Sequence, residues 1–257
     1  MKFSIITPTH NRPTLLLRAL ESVTGQTYSN WELIIINDDP HTDLNLELTS
    51  YVQDTRVHLL QNTENSGVNF SRNRGLDAIA PDSDYVIFLD DDDHLTPVAL
   101  ANIADVIKRV SCHWLLTNRG TSAAQATTYA PKNNAYYGYA WDYLITKKIK
   151  GDATHAIDSR YINGVYARIR FATRIKQAEE WLFYLALSDK SDLYYTDIVT
   201  TITDGYASSG LNMRKRSIFE QLSRIPVFIR ESFSYGLYKM TAFWIYCGIR
   251  FARSFIR

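Results

Sequence analysis

Four aspartates in a row, Asp90 to Asp93, follow the apolar run Tyr85-Val86-Ile87-Phe88-Leu89. Adjacent carboxylates repel one another, and an apolar strand in front of them fixes where they stand, so the run costs stability unless a cation neutralises it. Hard divalent ions such as Mg²⁺ or Mn²⁺ take one or two carboxylates together with waters and substrate phosphates, and that is the chemistry this run suggests. The plainer alternative is a solvated acidic turn ahead of the helix opened by Thr96-Pro97, because carboxylates also favour helix N-termini. Two more polar clusters stand after apolar strand-like runs. Thr7-Pro8-Thr9-His10-Asn11-Arg12 follows Phe3-Ser4-Ile5-Ile6, and Asn37-Asp38-Asp39 follows Leu33-Ile34-Ile35-Ile36. Ligands of open α/β sheets bind beyond the carboxyl ends of strands, so three such ends predict one shared site.

The elements that must position these residues alternate. Leu15, Leu16, Ala19, Leu20 and Val23 recur at helical spacing after Pro13, a residue suited to a first helical turn. Val57 to Leu60 is a weaker strand. A helix follows over Phe70 to Ala80, with Asn69 or Ser71 near its start, and Leu100, Ile103, Ala104 and Ile107 mark the next. Trp114-Leu115-Leu116 predicts another strand. This order argues for a mostly parallel sheet with helices on both faces. Residues 118–165 show little periodicity and read as loops and irregular strands, with a helix over Ala140–Thr146. A helix is expected again over Gln177–Leu187.

Composition sets outer bounds. Of 257 residues, 46% are hydrophobic and 21% charged, values that exclude a disordered or collagen-like chain. Only Cys112 and Cys247 are present, so neither a disulfide framework nor a Cys-rich zinc site is expected. The N-terminus lacks a signal-peptide layout, which favours the cytoplasm. Charge is uneven: 9 of the 28 Lys and Arg, but only 2 of the 27 Asp and Glu, fall after residue 210. No nucleic-acid motif accompanies that basic segment.

Taken in order, the motifs resemble those of the family 2 glycosyltransferases, inverting enzymes of the GT-A fold that use nucleotide-sugar donors. The resemblance rests on Ile5 to Arg12, Gln26-Thr27-Tyr28, Trp31-Glu32-Leu33, Asn37-Asp38, Asn65-Ser66-Gly67, Ser71 to Leu76 and the Asp-x-Asp segment Phe88 to Asp93. It implies a nucleotide-sugar site, with a UDP-sugar as first choice, over Pro8, Thr9, Asn11, Arg12, Asn37, Asp38, Asn65, Gly67, Arg72, Asp90 and Asp91. It also implies Mn²⁺ or Mg²⁺ on Asp92 and Asp90. The family usually has Asp where Asn37 stands, and often a small residue at the position of Asp91. Its general base is an acid of a Glu-Asp pair that begins a helix; here the pair is Glu179-Glu180, and Glu180 is the first choice, Glu179 the second. Two exposed glutamates in a first helical turn are the structural alternative. Acceptor contacts are expected from the aromatic stretch Asn134 to Trp141.

The resemblance implies a catalytic domain over 1–210, with a donor half at 1–110 and an acceptor half at 111–210. Residues 211–257 then read as a basic, amphipathic helical tail in which Pro226 breaks or kinks a helix. The apolar run Met240 to Ile249 is shorter than the roughly 20 residues a membrane span needs, and its Arg-rich flanks suit the surface of the inner membrane. Packing on the catalytic domain or on a second copy in a homo-oligomer is the alternative. The expected activity is sugar transfer to a glycan or glycolipid acceptor of the bacterial envelope. An Asp-x-Asp phosphatase and a catalytically inactive nucleotide-sugar-binding module are the rivals.

Overall fold

Apolar runs without alternation need cover on both faces, and that is how the central strands are used. A computed structural model describes residues 1–44, 48–174, 179–203, 223–234 and 236–254. Strands β1 (Phe3–Thr9), β2 (Trp31–Asn37), β3 (Val57–Gln61) and β4 (Tyr85–Phe88) lie parallel, ordered β3-β2-β1-β4. Residue parity then sorts two cores. Phe3, Ile5, Leu33, Ile35 and Ile87 face helices α1 (Pro13–Thr24) and α3 (Ala99–Val110). Ile6, Ile34, Ile36, Val86 and Phe88 face the side of α2 (Val68–Ala78) and α4 (Trp181–Ser188).

Beyond β4 the sheet continues through β9 (Ala153–Asp158), β6 (Trp114–Ser122) and β10 (Leu193–Thr203), ending on the short β5 (Asp93–Leu95). Strand β9 runs antiparallel to both its neighbours, β4 and β6, while β10 is parallel to β6. The short strands β7 (Gln125–Ala126) and β8 (Ala135–Tyr137) pair with β6 and β10.

Residues 118–165 are therefore more ordered than the sequence predicts: β6 runs on to Ser122, and β9 lies wholly buried inside the sheet. The sequence of β9, Ala-Thr-His-Ala-Ile-Asp, has no β-branched or aromatic run to announce it. Its polar groups are satisfied laterally instead. Thr154 donates to Thr201 at 2.7 Å, and one strand over the hydroxyls of Thr117 and Thr200 lie 2.5 Å apart. The expected helix near Ala140 is a π-helix over Tyr139–Ile145. Helix α2 starts at Val68, two residues before the predicted Phe70, after an N-cap Gly67 at φ 90°, and no side chain caps it.

At the C-terminal end, α5 (Ile225–Ser234) and α6 (Thr241–Ser254) follow. Pro226 does not break α5; it sits in the first turn, where its missing N–H has no helical partner to lose. The apolar and basic residues at 214–222 lie outside the described residues. Phe228, Phe243 and Tyr246 close on Trp181 of α4, with ring centroids 5.4, 6.1 and 5.0 Å from it. These helices thus complete one of the two cores rather than standing apart from it.

Candidate active site

The carboxyl ends of β1, β2, β4 and β6 meet at one edge of the sheet. The backbone N–H of Asp38 donates to the Thr9 carbonyl at 2.8 Å, tying the ends of β2 and β1. The Thr9 hydroxyl donates to Asp91 at 2.7 Å, tying β1 to the acidic run. Pro8 is buried beneath this corner, and exposed Asn11, at φ 52°, turns the chain toward α1. That turn brings Arg12 Nη1 to 3.4 Å from both Asp91 and Asp92.

Asp38 organises the next loop. Its carboxylate accepts from Asn62 Nδ2 at 2.7 Å and from the backbone N–H groups of Ser66 at 3.0 Å and Gly67 at 2.8 Å. Asn37 is fully buried, and its amide donates to the Thr42 carbonyl and the Gln61 side chain. Asn37, an expected ligand contact, thus braces the loop that follows it. Asn65 is exposed on the same loop, which delivers the chain into α2.

Helix α2 supplies Arg72, whose side chain is only 4% exposed. One guanidinium nitrogen donates to Asp90 at 2.7 Å and the other to Glu180 at 2.5 Å. Burial alone pulls its pKa down; Glu180 and Asp90 more than offset that and push it above the ordinary arginine value. Asp90 is pushed up by burial but held below its ordinary range by Arg72 and Arg119. Burial wins at its neighbours. Asp91 is pushed up to about 6 against the pull of Thr9 and Arg12, and Asp93 to about 6 against that of Arg119.

Asp90, Asp92 and Asp93 each offer one oxygen within 4.8 Å of the others, whereas Asp91 is turned toward Thr9 and Arg12. An oxygen-only, carboxylate-rich set of this kind suits a hard divalent cation. Five carboxylates here (Asp90 to Asp93 and Glu180) face three guanidiniums (Arg12, Arg72 and Arg119), leaving a net negative charge that a dication would neutralise.

Arg119 is an addition to the sequence reading, and Asp93, read there as part of the acidic run, joins Asp90 and Asp92 in the cluster. Arg119 Nη1 lies 2.8 Å from Asp93, and Nη2 lies 3.9 Å from Asp90. The available signal was a cation just past a predicted strand. The two glutamates separate cleanly: Glu180 is 37% exposed and faces Arg72, while Glu179 is buried and bound by Arg224, Arg250 and Trp181. The aromatic stretch expected to meet the acceptor divides as well. Tyr136 pairs with Tyr194 near the start of β10, whereas Asp93 pairs with Thr203 at its far end, so Tyr136 stands away from the acid cluster.

The model of the family described as Glycosyl transferase family 2 matches residues 4–164, more than half the chain and all three strand-end clusters. The chain belongs to this glycosyltransferase family. Among curated relatives, this chain is 34% identical over 117 residues to the succinoglycan biosynthesis protein ExoW of Rhizobium meliloti, a match that covers 44% of this chain and 37% of the relative. It is 36% identical over 105 residues to the GalNAc(5)-diNAcBac-PP-undecaprenol beta-1,3-glucosyltransferase of Campylobacter jejuni, covering 40% of this chain and 33% of that one. The matches thus span about a third of either relative's length. In fold it is similar to S. aureus TarS 1-349 in complex with UDP-GlcNAc, with a TM-score of 0.71 at 18% identity, over 89% of this chain and 66% of that one. The mixed sheet with flanking helices is the GT-A arrangement.

Proposed function

We propose that this glycosyltransferase moves a sugar, with inversion, from a UDP-sugar to a hydroxyl of a glycan or glycolipid acceptor in bacterial envelope polysaccharide synthesis. The carrying observation is the single buried guanidinium of Arg72, with Asp90 on one side and Glu180 on the other. It sets a half-exposed carboxylate beside the acid cluster, as inverting transfer requires. In that reading Glu180 takes the proton of the acceptor hydroxyl as its oxygen bonds to the anomeric carbon. The bond from that carbon to the diphosphate breaks on the opposite face, and UDP leaves. Asp90, Asp92 and Asp93 would hold Mn²⁺ or Mg²⁺, which when bound supplies Lewis-acid stabilisation of the departing diphosphate. The fold's likeness to a structure bound to UDP-GlcNAc and relatives named for polysaccharide and undecaprenol-linked substrates support the donor and acceptor classes.

No helix among the described residues is long and apolar enough to cross a membrane. Phe233, Trp244 and Phe251 of α5 and α6 are 62%, 46% and 46% exposed. Together with the basic residues of this segment they support a peripheral contact with a lipid surface, where a lipid-linked acceptor would be met.

The reading is tested by Glu180→Gln. Release of UDP from a UDP-sugar panel with Mn²⁺ should fall about 10²–10⁴-fold, as loss of a general base does, while UDP binding holds. Wild-type turnover in the variant would remove Glu180 from the chemistry. Tight UDP binding with no turnover by the wild type would favour a binding module.

A further inference from the structure

Glu179 is 4% exposed, yet it is a carboxylate, and a buried charge needs partners to be tolerated. Its partners come from the C-terminal segment. Arg224 Nη1 reaches Oε1 at 2.8 Å, Arg250 Nη2 reaches Oε1 at 3.1 Å, and Arg250 Nη1 reaches Oε2 at 3.0 Å. The Trp181 indole N–H donates to Oε2 at 2.8 Å. The Arg250 guanidinium is itself held by aromatic faces, lying 5.7, 5.3 and 5.9 Å from the centroids of Trp181, Phe228 and Tyr246. A second tie of opposite polarity fastens α5, where buried Glu231 accepts from Arg174 at 2.5 Å.

Residues 179 and 180 lead into α4, and both are tied to its first turn: the N–H groups of Leu182 and Tyr184 donate to the carbonyls of Glu179 and Glu180 at 3.3 and 3.1 Å. Glu179 and Trp181 are turned to the C-terminal helices; Glu180, between them, is turned to Arg72. Locking the outer two fixes the rotation of this first turn about its axis, and with it the aim of Glu180. We infer that Arg250 and Arg224 are positioning residues for the base: the C-terminal helices complete the catalytic site by clamping Glu179, and so hold Glu180 against Arg72. This inference rests on the reading of Glu180 as base.

The exposed and buried sides of α6 match that role. Phe243, Tyr246 and Arg250 recur on its inward face, and Trp244, Gly248 and Phe251 on its outward face. One helix thus carries the clamp on one face and an exposed aromatic row on the other.

The test compares full-length wild type with Arg250→Met, Arg250→Lys, Glu179→Gln and Glu180→Gln, reading UDP release from a UDP-sugar panel with Mn²⁺, UDP affinity, and amide hydrogen exchange. Misplacement of a catalytic group costs about 10–100-fold in kcat, so Arg250→Met and Glu179→Gln should each lose that much with KM for the UDP-sugar unchanged. Arg250→Lys, which restores the positive charge but neither the two-nitrogen fork nor the aromatic stacking, should recover only part of the loss. Exchange over residues 181–185 should rise in Arg250→Met while that of β1 and β2 stays as in wild type. Glu179→Gln keeps the shape of the side chain and serves if Arg250→Met fails to fold. Wild-type kcat, or unchanged exchange over 181–185, in a folded variant would overturn the clamp while Glu180→Gln remained inactive. If Glu180→Gln kept full turnover, the base assignment would fall, and the clamp with it.

Discussion

Arg72 carries a full charge with almost no access to water, a state that costs several kcal/mol unless neighbours compensate. Lysine could not take its place, because a planar guanidinium presents separate nitrogens to two carboxylates while an ammonium is a point charge. His155 shows the opposite solution to burial. It accepts a hydrogen bond from the Trp114 indole at 3.0 Å and stacks on Tyr184 with ring centroids 4.0 Å apart. Burial, with Arg119 adding to it, pushes its pKa down to about 3. The unfolded chain takes up this proton near pH 6.5 and the folded one does not, so this contribution is complete above 6.5 and is lost as pH falls toward 3. Between pH 6.5 and 5 the loss should be about 2 kcal/mol, and His155→Asn should flatten that part of the stability profile in urea titrations. An equally steep profile in the variant would contradict it. The acidic run and the strand-end clusters were legible at this scale. The division of labour between Glu179 and Glu180 was not, because it depends on which face of α4 meets the C-terminal helices.

At the scale of elements, α2 delivers Arg72 only because it lies close on β1 and β2. Gly75 allows that approach: a Cβ there would stand 2.5 Å from Ile6 Cγ2 and 2.9 Å from Ile36 Cδ1. Gly75→Ala should therefore destabilise by about 1–2 kcal/mol, since overpacking outweighs the gain in helix propensity. Urea unfolding checks this, and unchanged or higher stability would mean that the helix has room to spare. Strands β1, β2 and β4 and helices α1 to α3 were readable because period and apolar content agree over each. Strands β9 and β10 were not. Threonine pairs satisfy their polar groups only once the neighbouring strands are in place, a condition no local pattern records. Arg119 was missed for the same reason, since its partners are set by sheet order.

Across the whole molecule, the excess of positive charge beyond residue 210 turns out to serve two directions. Arg224, just before α5, and Arg250 of α6 are drawn inward to Glu179, while aromatic residues of α5 and α6 face outward. The sequence reading puts a membrane surface first and packing on the catalytic domain second; the structure shows the second, with Phe228, Phe243 and Tyr246 closed on Trp181. In the function proposed above, the acid cluster builds a cation-dependent site for a nucleoside diphosphate. Calorimetric titration of UDP into the full-length protein, with Mn²⁺ and then with EDTA, tests it most directly. Saturable binding is expected that requires the cation and weakens by about 1.4 kcal/mol or more, at least tenfold, in Asp92→Asn. Binding of the same strength in EDTA, or no binding in the presence of Mn²⁺, would contradict it.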